Sequence, residues 1–478
     1  MRILHVLISL AWVVLVSSNG ANLSPQELFN LNIDKRERIA IIGAGAGGSS
    51  AAYYLQRFSP GKYDITIFEK SDSVGGRSTT VDVKGHKVEL GASVFVKANK
   101  ILTNAVETFN LSTQKFGEKV KGTVAIWNGD RVVLELGSSW WSNIKLLIKY
   151  GLSPIRLVRL KNRFISKFLQ SYYDGNFPFA NLTDLTVESK FSEVTHLTAE
   201  EYLYEQEISD DFANNLIQAA TRVNYAQNLD QIHGIGSLVA VAADGAEQVK
   251  DGNWIIFDNF IKYSDAKLHL QTRVKSIMKN EEGWLVSYDD KTSYFDQVII
   301  ASPFGQSRIN LQSGSGKKLS EHPVEYVNLH VTLISTNCTI SPSFIDSDSN
   351  ESPKSILTTK DGQGNTPDFY SISAIDYFED TDEYLYKIFS PRRIKAEFLE
   401  DVFTGCNGNI SWIFRKKWRS YPYLKPNKNF GSFEIEQGLW YLNIIEPFIS
   451  TMETSALAGA NVAGLISHGK NTTEIKIP

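Results

Sequence analysis

An apolar run, Ile39-Ala40-Ile41-Ile42, passes directly into Gly43-Ala44-Gly45-Ala46-Gly47-Gly48, and this junction constrains the fold more than any other stretch. A strand that ends in a glycine turn and restarts as a helix opens a βαβ unit. Gly43 can take the tight turn out of the strand. Gly45 has no side chain, so the backbone can approach a pyrophosphate, and Gly48 lets the helix pack close to the sheet. The helix start presents unpaired N–H groups and a positive dipole end to phosphates. Ala51, Leu55 and Phe58 recur at helical spacing and are expected to face the sheet. Glu69 closes a second apolar run about twenty residues after the glycines, where a carboxylate can accept hydrogen bonds from ribose hydroxyls. A carboxylate there disfavours a 2′-phosphate. The chain is therefore expected to hold the ADP half of a dinucleotide.

Val74-Gly75-Gly76-Arg77 resembles the extension found in amine-oxidase-like flavoproteins. That resemblance implies FAD rather than NAD, with Gly75 and Gly76 passing close to the cofactor and Arg77 beside its pyrophosphate. Glu89-Leu90-Gly91-Ala92-Ser93 follows where those proteins run small residues past the flavin, so Gly91, Ala92 and Ser93 join the candidate cofactor contacts.

The chain has 478 residues, 42% of them apolar, and a net charge of −4. Two domains are expected, and a nucleic-acid partner is not suggested. Arg2 followed by the apolar stretch Ile3 to Val16 and small residues to Ala21 reads as a secretory signal over residues 1–20. Asn-x-Ser/Thr triplets at Asn22, Asn110, Asn181, Asn337, Asn350, Asn409 and Asn471 agree with a secreted or lysosomal glycoprotein. Cys338 and Cys406 are the only cysteines and are free to pair or not. The eight histidines show no metal-ligand spacing, and no metal is expected.

The expected fold class is α/β. A Rossmann-like FAD-binding domain, discontinuous in sequence, is drawn from 36–100, 250–305 and 435–470. An α+β substrate domain comes from 101–249 and 306–434. Asp265 to Ser276 alternates as a strand, Trp284–Tyr288 reads as a second and Phe295–Ala301 as a third, resembling the superfamily's β-meander, with Val274 where the backbone meets adenine. At the C-terminal return, Asn443 stands where a glycine is common, Glu446 keeps the acidic position, and a small-residue helix begins near Met452. In the superfamily that helix points its N-terminus at the flavin. From Ile144 to Tyr173 there are seven Lys or Arg and no acid, interleaved with apolar residues at helical spacing and broken by Gly151 and Pro154. This pattern suits either a surface helix packed on the core or peripheral contact of 144–173 with a membrane or lipid particle.

The match narrows further. Ser50-Ala51-Ala52-Tyr53-Tyr54-Leu55, Arg222-Val223-Asn224-Tyr225-Ala226-Gln227, Gly236-Ser237-Leu238, Lys387-Ile388-Phe389-Ser390, Tyr421-Pro422-Tyr423-Leu424-Lys425-Pro426 and Met452-Glu453-Thr454-Ser455-Ala456 together resemble the prenylcysteine oxidase family. The resemblance implies an FAD-dependent thioether oxidase that acts on farnesyl- or geranylgeranyl-cysteine with molecular oxygen, in a lysosomal or secreted setting. It implies that the flavin carries the chemistry, so no catalytic triad is expected. Arg222 is the candidate partner of the substrate carboxylate or else a structural ion-pair member, with Asn224 and Tyr225 beside it. Two alternatives share the motifs: a flavin amine oxidase, and a non-catalytic lipid-binding glycoprotein that retains the fold.

Overall fold

The computed structural model describes residues 36–137, 140–173, 176–243, 245–313, 324–347, 351–403 and 410–469, without the side chains of 140–144 and 171–173. The signal-like segment, Cys406, Asn22, Asn350, Asn409 and Asn471 lie outside the described residues. Six strands build the first sheet, in the order Glu434–Glu436, Leu439–Tyr441, Gln297–Ile300, Glu37–Ile42, Tyr63–Phe68, Lys267–His269. Ile41 pairs in parallel with Ile299, Val298 with Leu439, and Ile67 with Leu268. Ile39 and Ile41 pack into one core, whereas Ala40 and Ile42 pack into another on the opposite face. Burial on both faces explains why the strand reads as a continuous apolar run rather than an alternation.

One face carries the helices Ala46–Phe58, Trp254–Ser264 and Met452–His468. The first and last cross in backbone contact. A Cβ on Gly459 would lie 2.2 Å from the Gly47 carbonyl oxygen, and the Ser50 hydroxyl donates to the Ala456 carbonyl at 2.6 Å. Thr451 caps the Met452–His468 helix through Thr454. The other face is covered by a four-stranded sheet, Lys291–Phe295, Trp284–Tyr288, Val274–Lys279 and Asn310–Gln312.

Two strand expectations need correction. Asp265 to Ser276 is not one strand: Lys267–His269 joins the parallel sheet and Val274–Lys279 the antiparallel one. Between them Gln271 turns at φ +52, and the Thr272 N–H donates to the Glu69 carbonyl, so the alternation ran across a turn. Phe295 to Ala301 likewise divides, with Lys291–Phe295 completing the hairpin and Gln297–Ile300 entering the parallel sheet.

A seven-stranded sheet forms the rest, in the order Ile410–Pro422, Tyr326–Thr336, Glu383–Ser390, Ser371–Phe378, Ser355–Thr358, Val124–Trp127, Val132–Leu136. Helices from the 140–240 region accompany it, and the helix Gln218–Tyr225 packs on the Ser355–Thr358 strand. Cys338, at the end of this sheet, is disulfide-bonded. The basic stretch folds as the helices Trp140–Tyr150 and Ser153–Tyr173. Gly151 turns between them at φ +59, and Pro154 sits in a first turn, where its missing N–H costs no hydrogen bond. No described helix is long and apolar enough to cross a membrane.

Candidate active site

Each glycine of the loop has a separate reason. Gly43 leaves the strand at φ +111, and a Cβ there would meet the Ala301 carbonyl oxygen at 3.1 Å. A Cβ on Gly48 would sit 1.9 Å from the Gly43 carbonyl oxygen, so this glycine serves helix–strand packing. Gly45 differs. A Cβ there would make only ordinary contacts, 3.8 Å to the Gly76 Cα and 3.9 Å to the Gly75 oxygen. Its backbone, at φ −86, is one that any residue adopts. Nothing in the protein requires glycine at 45, which leaves the loop bare where a pyrophosphate would approach its backbone.

Glu69 is buried at the mouth of this loop, where its carboxylate accepts from the Ala44 N–H at 2.9 Å and the Ser71 N–H at 2.8 Å. The Gly75 N–H donates to the Ala44 carbonyl, and Gly75 and Gly76 turn at φ +100 and +62. The two glycine segments, 43–48 and 75–76, thus lie side by side. Val274 and Met452 are buried, and Val274 follows the turn that returns the chain to Glu69.

Arg77 and Glu446, expected as separate cofactor contacts, hold each other. Both Arg77 Nη atoms donate to the Glu446 carboxylate, and Nη1 also donates to the Ser420 carbonyl at 2.7 Å. Glu446 is buried and further accepts from the Tyr326 hydroxyl at 2.8 Å and from Asn443 Nδ2 at 2.6 Å. Asn443, in place of the common glycine, therefore earns a role in this network. Burial and the Glu446 charge both push the Tyr326 hydroxyl pKa up. The network joins the glycine loop, the C-terminal return and the seven-stranded sheet.

The 89–93 segment lies against the same sheet. A Cβ on Gly91 would meet the Trp418 ring at 2.4 Å, and the Ala92 N–H donates to the Arg77 carbonyl. Lys387 is buried beneath it and donates to the Glu89 carbonyl at 3.0 Å and to the Ser93 hydroxyl at 2.8 Å. Burial lowers the Lys387 pKa and raises that of the Glu89 carboxyl, whose Oε1 accepts from the Asn253 N–H. Sequence reasoning gave neither residue a role. The available signal was a lysine set between the apolar Leu385-Tyr386 and Ile388-Phe389 of the Glu383–Ser390 strand.

The substrate candidates separate. Four of the five N–H donors of Arg222 are taken: Nε by Thr358 Oγ1 at 2.9 Å, Nη1 by Asn228 Oδ1, and Nη2 by the Pro367 and Phe369 carbonyls, each at 3.0 Å. No carboxylate among the described residues pairs with it, and burial lowers its pKa to about 10. Arg222 thus stitches its helix to the sheet, and it is neither an open fork for a carboxylate nor part of an ion pair. Asn224 is exposed and bridges the Ala220 and Ala240 carbonyls. Tyr225 is buried at the segment that leads into the C-terminal helix: its hydroxyl donates to the Ser450 carbonyl at 3.4 Å, and its ring meets Tyr421 edge-on at 5.4 Å.

Buried polar atoms without protein partners cluster along these segments. They include Ser78 Oγ, Ser302 Oγ, Trp418 Nε1, Ser420 Oγ, Tyr421 Oη and Asn443 Oδ1. Buried polar groups are normally paired, so each of these atoms calls for a partner. They border the paired glycine segments, the Arg77–Glu446 network and Tyr225, where a long polar cofactor and its substrate would supply the missing partners. Among the described residues no group of His, Cys, Asp or Glu gathers as a metal site.

Solved structures with this architecture include cyclohexylamine oxidase from Brevibacterium oxydans (TM-score 0.61, 15% identity, covering 91% of this chain and 99% of that one) and putrescine oxidase (0.59, 14%, 90% and 98%). The paired glycine segments, Glu69 and the discontinuous parallel sheet define an FAD-dependent oxidoreductase. A family model described as an NAD(P)-binding Rossmann-like domain matches residues 41–109, and one described as prenylcysteine lyase matches 133–477. The chain belongs to the prenylcysteine lyase family. It is similar to farnesylcysteine lyase of Arabidopsis thaliana (29% identical, covering 91% of this chain and 88% of that protein) and to prenylcysteine oxidase 1 of Rattus norvegicus (28%, 92% and 90%) and Homo sapiens (27%, 91% and 90%).

Proposed function

We propose that this protein oxidatively cleaves the thioether of S-prenyl-L-cysteine, farnesyl or geranylgeranyl. Prenylcysteine, oxygen and water become prenal, free cysteine and hydrogen peroxide. The observation that carries this reading is the family match over 133–477, which includes the parts that do not build the first glycine loop. When bound, FAD supplies the two-electron acceptor for the C–H bond next to sulfur and passes the electrons to oxygen. The chain's own residues bind and orient. Gly45, Gly75, Gly76 and Glu69 hold the ADP half. The Arg77–Glu446–Tyr326 network fixes the C-terminal return against the sheet. Tyr225 and Tyr421 present an aromatic wall, and the phenylalanines around Ile445 and Phe448 exclude water.

We further propose passage through the secretory route to a lysosome or the cell exterior. The N-terminal apolar stretch supports this reading, as do the disulfide at Cys338 and the exposed sequons Asn110 and Asn337. Asn181 is half-buried, and its side chain caps the helix Leu182–Glu188.

The test is anaerobic addition of farnesylcysteine to the purified yellow protein. Bleaching, then recovery on admitting oxygen with equimolar prenal and peroxide, is the expected result. Bleaching by amines alone would move the assignment to an amine oxidase, and a protein that never binds flavin would remove both.

A further inference from the structure

The helical hairpin Trp140–Tyr150 and Ser153–Tyr173 has two apolar faces. One is rooted in the protein: Tyr150, Leu157, Leu160 and Phe164 are buried in the main core, and Ser153 Oγ accepts from the Ser209 N–H at 3.0 Å. The other points outward at the tip. Ile148 is 80% exposed, Leu152 60% and Val158 50%, with Leu147 and Ile155 beside them. Thirteen large hydrophobic side chains are exposed among the described residues, and five of them fall within 147–158. Scattered exposed apolar residues need no explanation, but a cluster at one turn does. Lys145, Lys149, Arg159 and Arg163 are exposed around this tip, and no Asp or Glu occurs from Leu136 to Tyr173.

We propose that this tip docks on anionic phospholipid bilayers, with Ile148, Leu152, Ile155 and Val158 entering the acyl boundary and the basic residues meeting the headgroups. The neighbouring Glu207 is taken up by Arg156, and Asp210 and Asp211 lie exposed beside Ser209, but the hairpin itself carries seven cations and no acid over 144–173, so its apolar tip is complementary to an anionic lipid surface. The same second helix runs from the tip to Phe168, which lines a small apolar void with Phe191, Ile445 and Phe448. One rigid element therefore joins the lipid surface to the wall beside Glu446. This placement rests on the proposed function only for its purpose, delivery of a prenylated amino acid from the membrane; the docking itself does not.

The test is co-sedimentation of the flavin-loaded protein with phosphatidylcholine vesicles, with and without phosphatidylserine, at low and high salt. Binding only to the anionic vesicles, weakened by salt, is expected. Ile148→Asp with Leu152→Asp should reduce that binding about tenfold or more. Flavin absorbance, thermal midpoint and turnover of dissolved substrate should stay unchanged. Val187→Asp, at an exposed apolar residue elsewhere, controls for loss of surface hydrophobicity and should bind like wild type. Failure of the wild-type protein to sediment with anionic vesicles at low salt overturns the proposal. So does equal binding by the tip variant, or a dimer in solution that the variant dissociates. The sedimentation and oligomer readouts do not depend on thioether turnover, so loss of one proposal leaves the other standing.

Discussion

Replacing Gly45 by alanine separates cofactor binding from folding. The new Cβ meets nothing in the protein closer than 3.8 Å, and the backbone already has φ −86. The folded protein should therefore keep its stability or gain up to about 1 kcal/mol from a stiffer unfolded chain. The methyl group would instead stand between the two glycine segments, where a pyrophosphate bound at the helix start would have to give way to it. Losing one hydrogen bond to a charged group costs about 1.5–3 kcal/mol, or roughly 10- to 150-fold in affinity. Gly48→Ala is the contrast: its Cβ would fall 1.9 Å from the Gly43 oxygen. Even if strand and helix moved apart, overpacking would cost about 3 kcal/mol or more. The assay is removal of flavin, thermal melting of the apoproteins, then fluorescence titration with FAD. The expected pattern is an unchanged apoprotein melt with weak FAD binding for Gly45→Ala, and a lowered melt for Gly48→Ala. The reasoning would be refuted by normal FAD affinity in Gly45→Ala, or by apoprotein destabilisation equal to that of Gly48→Ala.

Glu446→Gln removes the charge that Arg77 pairs with; because Arg77 is partly exposed, the loss should fall at the low end of about 3–5 kcal/mol, read as a lower melting temperature. An unchanged melt would show that the network does not hold the return segment. Arg222→Lys replaces a fork that reaches Thr358, Asn228, Pro367 and Phe369 by a single nitrogen, and should cost about 2–3 kcal/mol while leaving KM for prenylcysteine unchanged. A raised KM with normal stability would restore Arg222 to the substrate site. Glu453 is buried and accepts from the Ile101 and Leu102 N–H groups, and burial raises its pKa from the usual 4.5 to about 7. Between those values the folded protein keeps a proton that the unfolded chain releases. Stability should therefore be greater at pH 4.5, decline by up to about 3 kcal/mol as pH rises to 7, and level off above. Melting curves across this window should flatten in Glu453→Gln; equal slopes in both proteins would remove Glu453 from the account.

The legible parts of the site were those written locally. Gly43 to Gly48 are read directly, because strand, turn and helix start are adjacent in the chain. Glu69 and the Gly75–Gly76 pair follow within about thirty residues. The strand near 267 was misread because Leu268, Leu270 and Val274 keep a two-residue period through a turn that only the Thr272–Glu69 hydrogen bond reveals. Arg222, read as a carboxylate partner or a structural ion-pair member, shows a related limit. A guanidinium advertises a carboxylate in sequence, but its partners here are carbonyls and a hydroxyl up to 147 residues away. Carbonyls occur at every residue and leave no mark on composition.

The sequence by itself determined the dinucleotide-binding glycine turn, because that rests on residue types at short spacing, and its resemblance to a known family implied prenylcysteine as the substrate. Only the tertiary structure decided that Arg77 answers Glu446, 369 residues on, and that Lys387 lies under Ser93. It also decided that the basic helices carry a second, outward apolar face. Periodicity reports that a residue is apolar; whether it faces the core or solvent depends on which neighbours the fold brings beside it.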